Sequence, residues 1–261
     1  MQLSHTLRVG SAVFDEPNLV SAAGLVPLLG LADRAGLRAL ADRHLSVPTD
    51  KGAHAGLKVA SLVAGMVAGA DSIDDMALLR HGGMGRLFDR AYAPSTLGSF
   101  LRAFTFGHVR QLDAVASRFL TGLAAVTPGL AGNTAVPDEK VPDELVLVDV
   151  DDTIIEVHGY AKQGSGYGYS GVCGLNALLA TLSTPRSAPV IVAQRLRKGG
   201  CGSPRGAARL VADAVKTVKT LRGHPGGRVL VRADSAFYSH PHHVRGHHRF
   251  RRPQRGYPPL R

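Results

Sequence analysis

Residues 145–153 read LVLVDVDDT, a short apolar run that carries three carboxylates, Asp149, Asp151 and Asp152. Five apolar residues in so short a stretch predict a buried strand that delivers acids to its C-terminal end. Clustered carboxylates repel one another, so a divalent metal or a shared proton would explain why they are held together. A solvated turn after a strand is the plainer alternative, because Asp is a common turn residue. A second acid, Asp234, follows another apolar run in RVLVRADSAF (residues 228–237). If the two strands are neighbours in one sheet, Asp151 and Asp234 emerge at the same edge. Two such acids could hold one or two divalent ions, and hard oxygen ligands suit Mg²⁺ or Mn²⁺.

The elements needed to position these acids fall into two groups. Leu25, Leu28, Leu29, Ala32, Leu37, Leu40 and Leu45 recur at three- and four-residue steps and predict helices, with breaks at Gly30 and Gly36. A nearly all-apolar helix is expected over 54–69, buried on every side. A third, capped by Asp71 and Ser72, is expected over 73–79, and a short one over 85–90. Ser95 is a natural cap for the next helix, whose segment APSTLGSFLRAF (93–104) is similar to a helix-turn-helix reader helix, with a simple core helix as the alternative. A last helix is expected over 107–125. The chain thus reads as an all-helical unit, 1–125, then a Pro/Gly-rich linker, 126–143.

Strands are expected over 145–150, 153–158, 175–183, 189–196 and 228–233. A helix from Pro204 to Leu221, with Ser203 as its cap, falls between the last two. Several strands, a helix, then a strand ending in Asp predict an α/β layer with a mixed sheet over 144–238. The final stretch, 239–261, holds five histidines, six arginines, four prolines and no acid. It shows no periodicity and is expected to be disordered. A basic nucleic-acid arm, a His-rich metal tract and the product of a lost reading frame are the alternatives, the last favoured by its abrupt onset.

The net charge of +11 suggests a polyanionic partner, nucleic acid first. More than half of that excess lies in 239–261. No apolar run reaches the ~18 residues a membrane span needs. There is no basic-then-apolar signal pattern at the N-terminus. The two cysteines, Cys173 and Cys201, make no disulfide framework, which points to a reducing, cytoplasmic setting.

Ordered motifs sharpen the reading. Asp151-Asp152-Thr153, Glu156-Val157-His158-Gly159, GYGYSG (166–171) and RADSAF (232–237) resemble the catalytic domain of bacterial insertion-sequence transposases of the DDE class. The group 1 DDE transposase domain family is the nearest, over about residues 1–238. The resemblance implies an RNase H-like fold, a helical DNA-binding or assembly region, and metal-dependent cleavage and transfer of DNA strands in transposition. It implies double-stranded DNA as partner, at transposon ends and target, with a homodimer as one assembly, in the cytoplasm at the nucleoid. Asp151 matches the family's first acid and Asp234 its second, with Asp149 as the fallback for the first. The family's third acid, a Glu far downstream, has no counterpart after Asp234, so the chain is expected to be truncated or frameshifted and inactive. Lys162, beside the Gly/Tyr-rich segment, and Arg195, Arg197 and Lys198 are candidate phosphate contacts, with a tight hairpin and a solvated loop as the alternatives.

Two rival readings remain. Asp149-Val150-Asp151-Asp152-Thr153 also fits the D-x-D-x-T signature of haloacid-dehalogenase-type phosphatases, with Asp149 as nucleophile and Asp151 as acid/base. The other is a DNA-binding remnant without catalysis.

Overall fold

The computed structural model describes residues 16–88, 91–127, 129–130, 145–158, 162–185, 187–222 and 228–237. Most of the expected linker and all of 239–261 lie outside the described residues. The chain forms two compact units, one from residues 1–30 and 47–103, the other from 31–46 and 104–261. This division differs from the one composition suggests, because two helical segments ahead of the linker group with the sheet.

In the first unit, helix α3 (Ala55–Val67) and helix α4 (Pro94–Arg102) are joined by two 3-10 segments, Asp74–Arg80 and Gly82–Arg86. The segment expected as a regular helix over 73–79 is therefore 3-10. Its start is held by Ser72, whose amide and hydroxyl donate to the Asp75 carboxylate at 2.8 and 2.7 Å. The expected short helix at 85–90 gives way to the Gly82–Arg86 segment; its glycine-rich sequence favours turns over regular helix. Ser95 is not a cap: Pro94 already sits in the first turn and Ala93 is the N-cap. On α4, Leu97 and Phe100 are fully buried, so this face of the suspected reader helix belongs to the core. α3 is not buried on every side, since Met66 and Val67 are exposed. Lys58, on α3, is buried nonetheless; its Nζ donates to the Lys51 carbonyl at 2.6 Å and lies 5.4 Å from the Phe100 ring.

In the second unit, helix α2 (Leu37–His44) packs with helix α5 (Phe106–Val126). Gly36, in the left-handed region at φ 87°, makes the turn into α2. α5 starts with a capping box: Thr105 accepts from the backbone of the third helical residue, and the His108 ring accepts the Thr105 amide at 2.9 Å. The sheet comprises β1 (Val146–Glu156), β2 (Gly166–Tyr167), β3 (Cys173–Ser183), β4 (Val190–Lys198) and β5 (Val229–Ala233), with helix α6 (Ala207–Arg222) between the last two. β1, β3 and β4 form an antiparallel meander, and β5 lies parallel to β1 on its other side. The mixed α/β sheet expected from the sequence is present.

β1 corrects one expectation. The two strands expected over 145–150 and 153–158 are a single eleven-residue strand, paired with β3 from Leu147↔Ser183 to Glu156↔Gly174. The carboxylates force no break, because side chains alternate between faces and each acid can leave the sheet plane where it stands.

That alternation sorts the whole unit. Val146, Val148 and Val150 are buried with Leu178, Ala180 and Leu182 of β3 and Val231 of β5. Leu210, Ala214, Val218 and Leu221 of α6 and Ala124 of α5 close the same core. Helices therefore cover one face of the sheet. Asp149, Asp151, Thr153 and Ile155 point to the other.

Candidate active site

The parallel ladder between β1 and β5 pairs Asp149 with Arg232 and ends at Val150↔Ala233. Asp151 and Asp234 are each the next residue after this last pair on their own chain segments, Asp151 within β1 and Asp234 just past the end of β5. Asp151, two residues after Asp149 on β1, lies on the face that α5 and α6 leave uncovered. Because the strands are parallel, both acids leave the sheet at one end, where β5 stops and β1 continues.

Local contacts define each acid. Asp234 is exposed, and its Oδ1 accepts the Ala236 amide at 2.9 Å, capping the 3-10 turn Ser235–Phe237. Ala233 and Phe237 pack against the core on either side and fix its exit. Asp151 is also exposed, and its Oδ1 accepts the Asp152 amide at 2.8 Å. Asp149 is spoken for: Arg232 grips both its oxygens, Nε to Oδ1 at 2.6 Å and Nη2 to Oδ2 at 2.8 Å. The same pairing raises the Arg232 pKa above its usual value, through the hydrogen bonds and then the charge of Asp149.

Asp152 points to the helix-covered face. Its Oδ2 accepts from Asn176 Nδ2 at 2.5 Å and from Arg197 Nη2 at 3.0 Å. Arg197 also donates to Asn176 Oδ1 and to the carbonyls of Gly202, Ser203 and Arg205. These bonds hold residues 202–205 as a turn, and Gly206 follows at φ 82°. α6 therefore begins at Ala207, not at Pro204. Arg195, also on this face, is paired with Asp213 of α6 and lies 3.5 Å from Asp113 of α5. Both arginines, expected as phosphate contacts, have their guanidinium groups committed inside the fold. Lys198 falls on the opposite face and is exposed, as is Lys162. Alternation along β4 made this separation, and the cluster of charges in the sequence concealed it.

Asp113, Arg110, Arg195 and Asp213 line a cavity of about 480 Å³ between α5, β4 and α6. Burial raises the Asp113 pKa, against the pull of Arg110 at 2.5 Å and of Arg195. An acid with a raised folded pKa binds a proton more tightly in the folded chain than in the unfolded one. Its contribution to stability therefore falls as pH rises from the ordinary Asp value of about 3.9 through the raised one. Asp113→Asn should flatten that part of the stability–pH curve, as urea midpoints between mildly acidic and neutral pH would show.

No group of three or more His, Cys, Asp or Glu side chains gathers around a common point among the described residues. Asp151 and Asp234 nonetheless supply the hard, anionic oxygens that a divalent ion such as Mg²⁺ or Mn²⁺ prefers. No described helix is long and apolar enough to cross a membrane.

The five strands and the helices packed against them define an α/β protein with a mixed sheet. The family model for the transposase DDE domain, group 1, matches residues 6–244, and the chain belongs to that family. No curated protein and no solved structure was found to match the chain.

Proposed function

We propose that this chain is a DDE transposase of an insertion sequence, with Asp151 and Asp234 as two of the acids that serve DNA strand cleavage and transfer. The observation that supports this reading is the parallel β1–β5 ladder, whose last pair, Val150↔Ala233, is followed directly by Asp151 and Asp234, in a chain of the DDE family. The strand order supports an RNase H-like catalytic domain over 144–238: three antiparallel strands, a helix, then a strand parallel to the first. The helical residues 1–125 serve DNA binding or assembly in the same reading, and 126–143 link the two. Double-stranded DNA at transposon ends and target is the substrate, met at the nucleoid by a homodimer.

Asp151 and Asp234 would hold Mg²⁺ or Mn²⁺, which when bound supplies charge neutralisation and an activated nucleophile for phosphoryl transfer. Arg232 neutralises Asp149 and keeps a third negative charge from crowding the pair. Asp149 is the fallback ligand only if Arg232 releases it. Lys198 and Lys162 are placed to meet phosphates.

Residues 235–261 contain no Asp or Glu, so this stretch does not supply the third acid of the DDE set. The purified 261-residue chain should bind duplex DNA with a steep salt dependence and leave it uncut with Mg²⁺ or Mn²⁺. Cleavage of transposon-end DNA would overturn the incomplete-site reading, and no retention of duplex at low salt would overturn the DNA reading itself. The phosphatase alternative needs Asp149 free as nucleophile, whereas both its oxygens accept from Arg232. Hydrolysis of para-nitrophenyl phosphate that vanishes with Asp149→Asn would restore that alternative.

A further inference from the structure

Beyond the point where β5 ends, β1 and β3 run on together as an arm. β2 pairs β3 there through Gly166↔Gly174 and Tyr167↔Cys173, on the side of β3 away from β1. Tyr167 is 74% exposed, and Tyr169 is fully exposed in the turn closed by the Gly171 amide on the Gly168 carbonyl at 3.1 Å. Two aromatic rings held in water at the tip of a hairpin stabilise nothing in this unit.

Face parity places them usefully. Asp151 pairs with Leu179, and Cys173 lies six residues along β3 on the same face. Tyr167, opposite Cys173, therefore shares the face of Asp151, at about 20 Å along the strand direction. Lys198 pairs with Leu175 and shares that face as well. A strand of DNA leaving the acids along this face would meet Lys198 and then Tyr167.

The arm is built to be stiff. A Cβ on Gly199 would lie 2.1 Å from the Gly174 carbonyl oxygen and 2.2 Å from that of Gly166, and one on Gly168 would lie 2.6 Å from that of Gly199. Three chain segments thus cross at backbone contact, which only glycine allows. The Gly199 amide donates to the Gly164 carbonyl at 3.0 Å and ties the β4 end to the turn that carries Lys162. Rings on a rigid support lose little freedom when they bind, and exposed aromatics beside lysines are the elements that bind unpaired nucleobases.

We propose that Tyr167 and Tyr169 form a stacking platform for unpaired bases of a DNA strand running from the acid pair, with Lys198 and Lys162 on its phosphates. The proposal rests on the DNA reading above and adds the form of DNA engaged: a duplex end with a single-stranded extension. The test compares the full chain on a blunt duplex and on the same duplex carrying an oligo(dT) extension. The extended duplex should bind more tightly; Tyr167→Ala and Tyr169→Ala should each weaken it about tenfold, leave the blunt duplex unchanged, and be rescued by Phe but not by Leu. The chain contains no tryptophan, so Tyr169→Trp adds a single reporter whose emission should be quenched by the extension and not by the blunt end. Equal binding of both DNAs, with no effect of the alanine substitutions, overturns the platform and leaves the DNA reading standing. Binding of neither overturns both.

Discussion

Asp151→Asn and Asp234→Asn should each lower the affinity of the chain for Mn²⁺ by tenfold or more, and the pair together should remove specific binding. Each change keeps side-chain shape and removes one negative charge, so the loss reports the carboxylate and not the packing. The magnitude is a floor, because even residues that only support ligands cost 10–100-fold in known metal sites. Asp149→Asn is the informative control. Its carboxylate is held at both oxygens by Arg232 at 2.6 and 2.8 Å, so its loss should change Mn²⁺ affinity little. Titration followed by the electron paramagnetic resonance of free Mn²⁺ measures the parent chain and all four variants directly. If Asp149→Asn costs as much as Asp151→Asn, the first acid is Asp149 and the register argument fails.

Arg197→Ala should be the most destabilising single polar substitution in the sheet unit, by about 3–5 kcal/mol. The guanidinium is 9% exposed and its partner Asp152 is 14% exposed. Its removal leaves a carboxylate without its cation, takes donors from Asn176 Oδ1, and strips the carbonyls of Gly202, Ser203 and Arg205 of their shared partner. Arg197→Lys should recover little, because one ammonium cannot reproduce a planar fork that reaches two side chains and a turn at once. Urea denaturation followed by circular dichroism reads the effect. A loss below about 1 kcal/mol would place Arg197 with ordinary surface pairs and not with buried ones.

The chemistry-bearing types were legible early. The apolar residues of LVLVDVDDT predict β1, and those of RVLVRADSAF predict β5, since a two-residue side-chain period with bulky aliphatics needs a covered face. Helical periodicity over 107–125 predicts α5 within a residue or two. What α5 packs against is not encoded in that period. Leu120 and Ala124 could have closed a helical bundle, yet they join the core beneath the sheet. Three adjacent acids predict a break between Val150 and Thr153, yet β1 runs through them, because Asp151 and Asp152 occupy opposite faces and need no turn to part them.

By itself, then, the sequence determined the two acids, the strands that carry them, and the DDE transposase family to which the chain belongs. Side-chain chemistry and local period are properties of a segment, and they survive in one dimension. Only the tertiary structure decided which partners Asp149, Asp151 and Asp152 each meet. Register set Arg232 against Asp149; pleat parity turned Asp152, Arg195 and Arg197 toward the helices and left Lys198 and Tyr167 on the face of Asp151. A shift of one residue in β1 against its neighbours would turn Asp151 toward the helices and Asp152 away from them, because side chains alternate with a period of two. That register is fixed by contacts between segments some eighty residues apart, which no single segment contains.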